Sequence, residues 1–444
     1  MKKGRVLLSF VFLGMAFWGQ SYAQSDIVSL EEAITIATNQ STVVGTSREQ
    51  LQTARQSVLN NYGRFLPNLA LTGYGGHSFI GPTGSVQFDS QGRFVQPSGF
   101  DYESYSFSLN SGVTLFDWGV NVKSLSSAKR TAEAAQHDLQ YQKDIITARA
   151  IRAYYNLVRD KYLTRVAQES VGAAQRNLEQ VEAFFAIGSN TRADVLQARV
   201  RLGNTQLSLI TARNNQEISH ATLASLLNFP LNRSFDVDSS LAITKVDPDL
   251  ESEIEYMLDH RSDLLANRKR VTASRDAITA AENRRWPTFS GSFQYSWNDR
   301  EFTDLGAIFD EEYGWGFGVA MNFNIFDRFA TKSSIIDAKA RSRISEYMLQ
   351  QAKLDAILEV KTIHLTIKEA DERMRVSEET MKQAEENLRL AEERYRVGAG
   401  TILETIDAQV SLTEARSSLV RAKCDYLTAK ADLLRASGRS VSVD

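Results

Sequence analysis

Hydrophobic and polar positions alternate along parts of this chain with a period of two. Tyr313, Trp315, Phe317, Val319, Met321, Phe323 and Ile325 alternate with Gly314, Gly316, Gly318, Ala320, Asn322 and Asn324. Tyr105, Phe107, Leu109, Val113 and Leu115 alternate with Ser106, Ser108, Asn110, Gly112 and Thr114. A strand sends successive side chains to opposite faces, so each segment has one greasy, aromatic face and one small, polar face. A third segment alternates more loosely through Phe289, Phe293, Tyr295 and Trp297, and the weakest runs from Asn68 to His77. Four strands are predicted, paired within 68–118 and 288–326. At about 10–14 residues with aromatic ends, they are long enough to cross a bilayer when tilted.

The rest of the chain reads as helix. Residues 120–187 and 330–397 are rich in Ala, Gln, Leu, Arg and Lys and contain no proline. Each would span on the order of 100 Å if helical throughout. Gly188 and Gly398 are placed to cap these helices and turn the chain. Thr191 and Thr401 are placed as N-caps of return helices over 191–229 and 401–437. Two more half-length helices are predicted over 29–65, opening with a Ser29-x-x-Glu32 capping box, and over 250–285. Pro67 and Pro287 end them, Pro82 and Pro97 mark a loop, and Pro230 and Pro248 bracket an irregular stretch over 230–249. Ala/Leu stripes on these helices are packing surfaces.

The plan occurs twice. Leu115-Phe116-Asp117-Trp118 matches Ile325-Phe326-Asp327-Arg328, and Ala186-Ile187-Gly188-Ser189-Asn190-Thr191 matches Arg396-Val397-Gly398-Ala399-Gly400-Thr401. An internal two-fold repeat follows, with a first copy over 24–249 and a second over 250–444. Ahead of it, Lys2, Lys3 and Arg5 precede an apolar run from Val6 to Trp18 and a small-residue cleavage pattern, Ser21-Tyr22-Ala23. Residues 1–23 are expected to be a secretory signal peptide.

Composition narrows the function classes. Removing 1–23 takes away three basic residues and no acidic ones, moving the net charge from −3 to −6. A mildly acidic chain without a Lys/Arg cluster is no candidate for nucleic-acid binding. Cys424 is the single cysteine, so no intrachain disulfide forms. His77, His137, His220, His260 and His364 are scattered without metal-ligand spacing. No cofactor or metal is expected, and with no nucleophile or phosphate motif the chain is not expected to be an enzyme.

Four strands cannot close a transmembrane barrel, for which about eight is the practical minimum. Open sheet edges are not tolerated in lipid. The barrel is therefore expected to be shared between copies; a dimer would supply eight strands and a trimer twelve, and the pattern does not choose. A non-efflux porin would need more strands per chain, and a periplasmic coiled-coil scaffold would leave the aromatic strand faces unexplained.

The hairpins Phe185-x-x-Gly188-x-x-Thr191-x-x-Asp194-Val195-Leu196-x-Ala198 and Tyr395-x-x-Gly398-x-x-Thr401-x-x-Glu404-x-x-Asp407-Ala408-Gln409 resemble the TolC-like outer-membrane efflux family, as do the Leu66-Pro67 and Trp286-Pro287 junctions. The resemblance covers 27–438 in order. It implies a mixed membrane fold: a homotrimer with a 12-stranded β-barrel, continued by a long α-helical barrel of coiled-coil hairpins. It implies a passive exit duct in the outer membrane of a Gram-negative bacterium, extending into the periplasm and serving tripartite efflux or type I secretion. The implied partners are a periplasmic adaptor protein, an inner-membrane pump and outer-membrane lipid. It further implies an adaptor-docking tip at Gly188, Thr191, Gly398 and Thr401, a gate link made by Asp194 and Tyr395, and a pore constriction at Glu404 and Asp407. Gly400 departs from the family, whose best-known members carry a basic side chain there.

Overall fold

The structure, a computed structural model, describes residues 27–81, 87–88, 90–95, 99–300 and 312–439. The expected signal peptide (1–23) and the loop prolines Pro82 and Pro97 lie outside the described residues. The first half of the chain runs β1 (Ile27–Val28), α1 (Leu30–Gln40), α2 (Thr42–Gly63), β2 (Asn68–Ile80), β3 (Gln87–Phe88), β4 (Phe94–Val95), β5 (Phe100–Phe116), α3 (Val120–Ala186), α4 (Arg192–Leu226) and β6 (Asp236–Val237). The second half runs α5 (Leu250–His260), α6 (Ser262–Asn283), β7 (Thr288–Asp299), β8 (Tyr313–Asn322), and then two further helices. These are α7 (Ala330–Arg396) and α8 (Ile402–Ser437).

Of the half-length helices, those predicted over 29–65 and 250–285 are each broken once. Ser41 is extended (ψ 125°) and its hydroxyl accepts from Val44 N, so it stops α1 and caps α2. Arg261 adopts the same extended conformation between α5 and α6 without capping through its side chain. That side chain is buried instead. Its guanidinium pairs with Asp263 at 2.9 Å and Glu359 at 2.6 Å, and donates to the carbonyl of Ala436.

The long helices begin alike. Asp117 accepts from the backbone of Gly119 and Asn121, and Asp327 from that of Thr331. These carboxylates satisfy free N–H groups of a helix start and favour its positive dipole end. β8 ends at Asn322, opposite Thr288 where β7 begins after Pro287, earlier than the alternation through Ile325 predicted. Helix α3 packs against α2, α4, α6 and α8, and α7 packs against α6 and α8. At the level where the half-length helices meet, Val28, Ala33, Val44, Ile146, Tyr154, Leu157, Leu223 and Phe235 form one apolar core. Met257, Leu264, Ala356, Val360 and Ala436 form its counterpart in the second half.

The four long strands make one antiparallel sheet in the order β2-β5-β7-β8. Leu71, Leu109, Tyr295 and Trp315 lie in register across it, as do Phe107, Trp297 and Tyr313. This face is apolar and aromatic. On the other face Thr72, Ser108, Ser296 and Gly314 align, as do Ala70, Asn110, Gln294 and Gly316. Gly73 and Gly75 lie under the rings of Phe107 and Tyr105, where a Cβ would come within 3.0 and 3.1 Å of ring carbons. Small residues on β2 thus make room for large ones on β5. Leu115 is the extra residue of a bulge against β7.

Candidate channel tip and luminal wall

The far ends of α3 and α7 carry matching turns. Gly188 and Gly398 have φ of +80° and +75°, the left-handed conformation that a side chain disfavours. Their amides bond to the carbonyls of Phe185 and Tyr395, and the next amides, of Ser189 and Ala399, reach back to Phe184 and Arg394. This double closure is the Schellman arrangement, which satisfies the last carbonyls of each helix. Thr191 and Thr401 then start α4 and α8, their hydroxyls accepting from the amides of Asp194 and Glu404. Leu178, Val181, Val195, Ala198, Ile402 and Ile406 form a single apolar cluster that holds the two turns side by side.

The side chains expected to act at this tip are distributed differently from the resemblance. Within the protomer, Asp194 and Tyr395, the expected gate link, have different partners. Asp194 turns back on its own helix and accepts from both the amide and the hydroxyl of Thr191, at 2.8 and 2.7 Å, completing a capping box. The amide bond, followed by the hydroxyl bond, holds its carboxyl below the usual aspartate value. Tyr395 instead accepts through its hydroxyl from the Asn190 amide at 3.4 Å, and its ring packs on Phe184. The cross-hairpin contact exists, but its members are Asn190 and Tyr395.

Glu404 and Asp407 are both exposed on α8, one turn apart. Each has a basic neighbour. Glu404 lies 3.4 Å from the Arg394 guanidinium, which also donates to the Ala399 carbonyl. A side chain at position 400 would press on the Arg394 Cβ at 3.1 Å and on the backbone of Arg394 and Tyr395 at 3.2–3.3 Å. A guanidinium from the end of α7 thus spans the second turn where position 400 lacks one. Asp407 acts electrostatically on Arg201 of α4, whose burial disfavours its charge while Glu414 and Asp407 support it. Arg394 and Arg201 escaped sequence reasoning. The local signal for Arg394 was a cation in the last turn of a helix, where the dipole favours one; Arg201 carried no such signal.

The wall between tip and sheet has a sidedness that follows from shared depressions. A trough of about 670 Å³ crosses α2, α3, α6 and α7 and is floored by small residues, among them Ser57, Ser127, Ala277 and Ser334. A second, of about 680 Å³, joins the end of α2 to Asn68, Gly112, Ser290 and Ser292. Those last residues belong to the polar face of the sheet. The small-residue side of the helical layer and the polar side of the sheet are therefore one continuous surface. The opposite side of the sheet is greasy, with Phe317 80% and Leu71 74% exposed in the single chain. Near its helical end, Trp118 stacks beside Trp286 and donates through its indole to the Pro287 carbonyl.

Known proteins share this architecture. The structure resembles the outer membrane protein VceC of Vibrio cholerae, with a TM-score of 0.77 at 20% identity, over 93% of this chain and 97% of that one. It resembles the CmeC outer membrane channel of Campylobacter jejuni, with a TM-score of 0.79 at 15% identity, over 98% and 94%. In sequence it is 22% identical to the outer membrane protein TolC of Vibrio cholerae over 287 residues, 64% of this chain and 66% of that relative. It is 24% identical to the pyoverdine export outer membrane protein OpmQ of Pseudomonas putida over 213 residues, 47% of this chain and 44% of that relative. These sequence matches span less than two thirds of the relatives' own lengths. The model of the outer membrane efflux protein family matches residues 34–228 and 254–439. The chain belongs to the outer membrane efflux protein family.

Proposed function

We propose that three copies of this chain form a passive exit duct through the outer membrane and into the periplasm, serving a tripartite efflux or type I secretion system. The observation that carries this reading is the four-stranded sheet. Its one apolar and one polar face suit lipid and water, and among the described residues its outer strands β2 and β8 each pair on one side only. An even strand count lets β8 of one copy meet β2 of the next in antiparallel order, so a ring of copies closes without edges. Three copies give twelve strands. The repeated element order and the two matched family segments support an internal two-fold repeat. Leu196, Val200, Leu207, Ile210 and Ile218 are exposed along α4, an apolar stripe suited to burial against a neighbouring copy in the helical barrel.

A passive duct supplies no driving force of its own, so it would work with an inner-membrane pump and a periplasmic adaptor. The adaptor docks at the tip around Gly188, Thr191, Gly398 and Thr401. Glu404 and Asp407 ring the constriction, their field moderated by Arg394 and Arg201. Asn190 and Tyr395 link the hairpins at the gate, while Asp194 rigidifies the first turn. The test is mass measurement in detergent together with planar-bilayer conductance. A stable trimer and cation-preferring channels are expected, with the preference weakened by Glu404→Gln plus Asp407→Asn. A stable monomer or dimer overturns the trimer. Selectivity that survives the double substitution overturns the constriction.

A further inference from the structure

Arg64 and Arg284 occupy equivalent places. Each is the C-cap of the helix that precedes a strand pair, Arg64 after α2 and Arg284 after α6. Both are exposed, and both line the trough across α2, α3, α6 and α7. Arg64 also lines the depression that continues onto the polar face of the sheet. The two other arginines of the trough are neutralised, Arg270 by Asp138 and Arg341 by Asp337. Their backbone amides bond to the carbonyls of Tyr62 and Glu282, but among the described residues neither guanidinium has a hydrogen-bond or ion-pair partner. The one carboxylate lining these depressions, Asp337, is taken by Arg341, and the other neighbours are mostly serine, alanine, asparagine and glycine, which supply hydrogen bonds and room.

A guanidinium presents a planar fork of donors matched to phosphate or carboxylate oxygens. On the inner side of the proposed duct, unpaired guanidinia would act in a confined space, where field lines are focused. We propose that Arg64 and Arg284 form a luminal anion-binding collar at the junction of sheet and helices. It would hold solutes bearing phosphate or carboxylate groups as they pass toward the outside. The inference rests on the duct reading above, under which three copies contribute six guanidinia at one level. The conduit would then carry acid at its periplasmic tip and base beneath its membrane section. Charge along the lumen reverses sign, and such a pore passes current unequally in the two directions.

The full-length protein in a planar bilayer, with tripolyphosphate as probe, tests this. Tripolyphosphate added on the sheet side should block the wild-type channel. Arg64→Gln plus Arg284→Gln should raise the blocking concentration by about tenfold or more, since each charge-assisted contact contributes more than a neutral one. The Lys/Lys pair should retain charge selectivity while binding the probe more weakly than wild type. Both sites are exposed at helix ends, so the variants should remain trimeric by mass in detergent. Conducting wild-type channels that ignore tripolyphosphate, or that lose nothing on the double Gln substitution, overturn the collar and leave the duct reading standing. Substitutions that instead weaken binding to anionic-lipid vesicles, with block intact, also overturn it by placing the arginines against lipid headgroups. Absence of conductance from trimeric wild-type protein overturns the duct and the collar together.

Discussion

At the scale of single residues, the second half of the chain is held together by a buried charge network that no sequence pattern announced. Arg261 joins Asp263, Glu359 and the Ala436 carbonyl, and Glu359 in turn takes a 2.5 Å bond from Arg435. Burial disfavours the Glu359 carboxylate, but the Arg435 hydrogen bond and the Arg261 charge outweigh it and hold it below the usual glutamate value. A carboxylate so held stabilises the fold at neutral pH, and that contribution is lost as pH falls from 4.5 through the folded value. Glu359→Gln should lower stability at neutral pH by about 3 kcal/mol, because it leaves Arg261 and Arg435 short of a counter-charge. It should also flatten the loss of stability on acidification. Thermal unfolding followed by circular dichroism at neutral and acidic pH checks both, and superimposable curves for variant and wild type would count against the network. The same scale shows what the sequence leaves open at Asp194. Its motif is shared by both hairpins, but whether it bonds to Thr191 or to a neighbouring helix depends on side-chain geometry that the motif does not encode. Cys424 is simpler: burial pushes its thiol up to about 12, which leaves it unreactive in the fold.

At the scale of elements, what could be read from sequence had local causes. Gly188 and Gly398 sit where the backbone requires positive φ, and Thr191 and Thr401 sit where free amides need an acceptor. Those four residues marked the turns without any tertiary information. The breaks at Ser41 and Arg261 were not legible, since neither position holds proline or glycine. Ser41 is a cap hidden inside a helical pattern, and Arg261 is drawn out of the helix by partners far along the chain. The two tips also differ in a way that can be measured. Thr191 shares a capping box with Asp194, whereas Glu404 faces Arg394 and leaves Thr401 with one cap bond. Thr191→Ala should weaken its turn by about 1 kcal/mol, a roughly fivefold rise in amide exchange over the first turn of α4. Thr401→Ala should produce a smaller rise in α8, and equal rises would remove the asymmetry. Gly398→Val should weaken the second turn by about 1–2 kcal/mol through backbone strain alone, because nothing lies within 4 Å of an added Cβ there. Adaptor binding should fall in the same order as tip stability.

At the scale of the whole molecule, the alternation of the strands became informative only when combined with the helical layer. Period two separates two faces but does not say which one meets lipid. The depression joining Arg64 to Asn68, Gly112, Ser290 and Ser292 ties the polar face to the small-residue side of the helical layer, and in the proposed duct this leaves the aromatic face toward lipid. Neighbouring positions on the two central columns of the sheet then make a sharp comparison. Phe317 pairs with Phe293 on the apolar face, whereas Gln294 pairs with Gly316 on the polar one. Both pairs lie within the strands, away from either end. A lysine on the lipid side near mid-membrane costs about 2–4 kcal/mol, while one on the water side remains hydrated. In the proposed trimer that penalty is met three times in one assembly. Phe317→Lys should therefore prevent recovery of heat-modifiable trimers from the outer-membrane fraction. Gln294→Lys, one residue away across the sheet plane, should assemble normally and shift channel selectivity toward anions. If Gln294→Lys fails to assemble and Phe317→Lys succeeds, the two faces are reversed, and with them the side on which Arg64 and Arg284 lie.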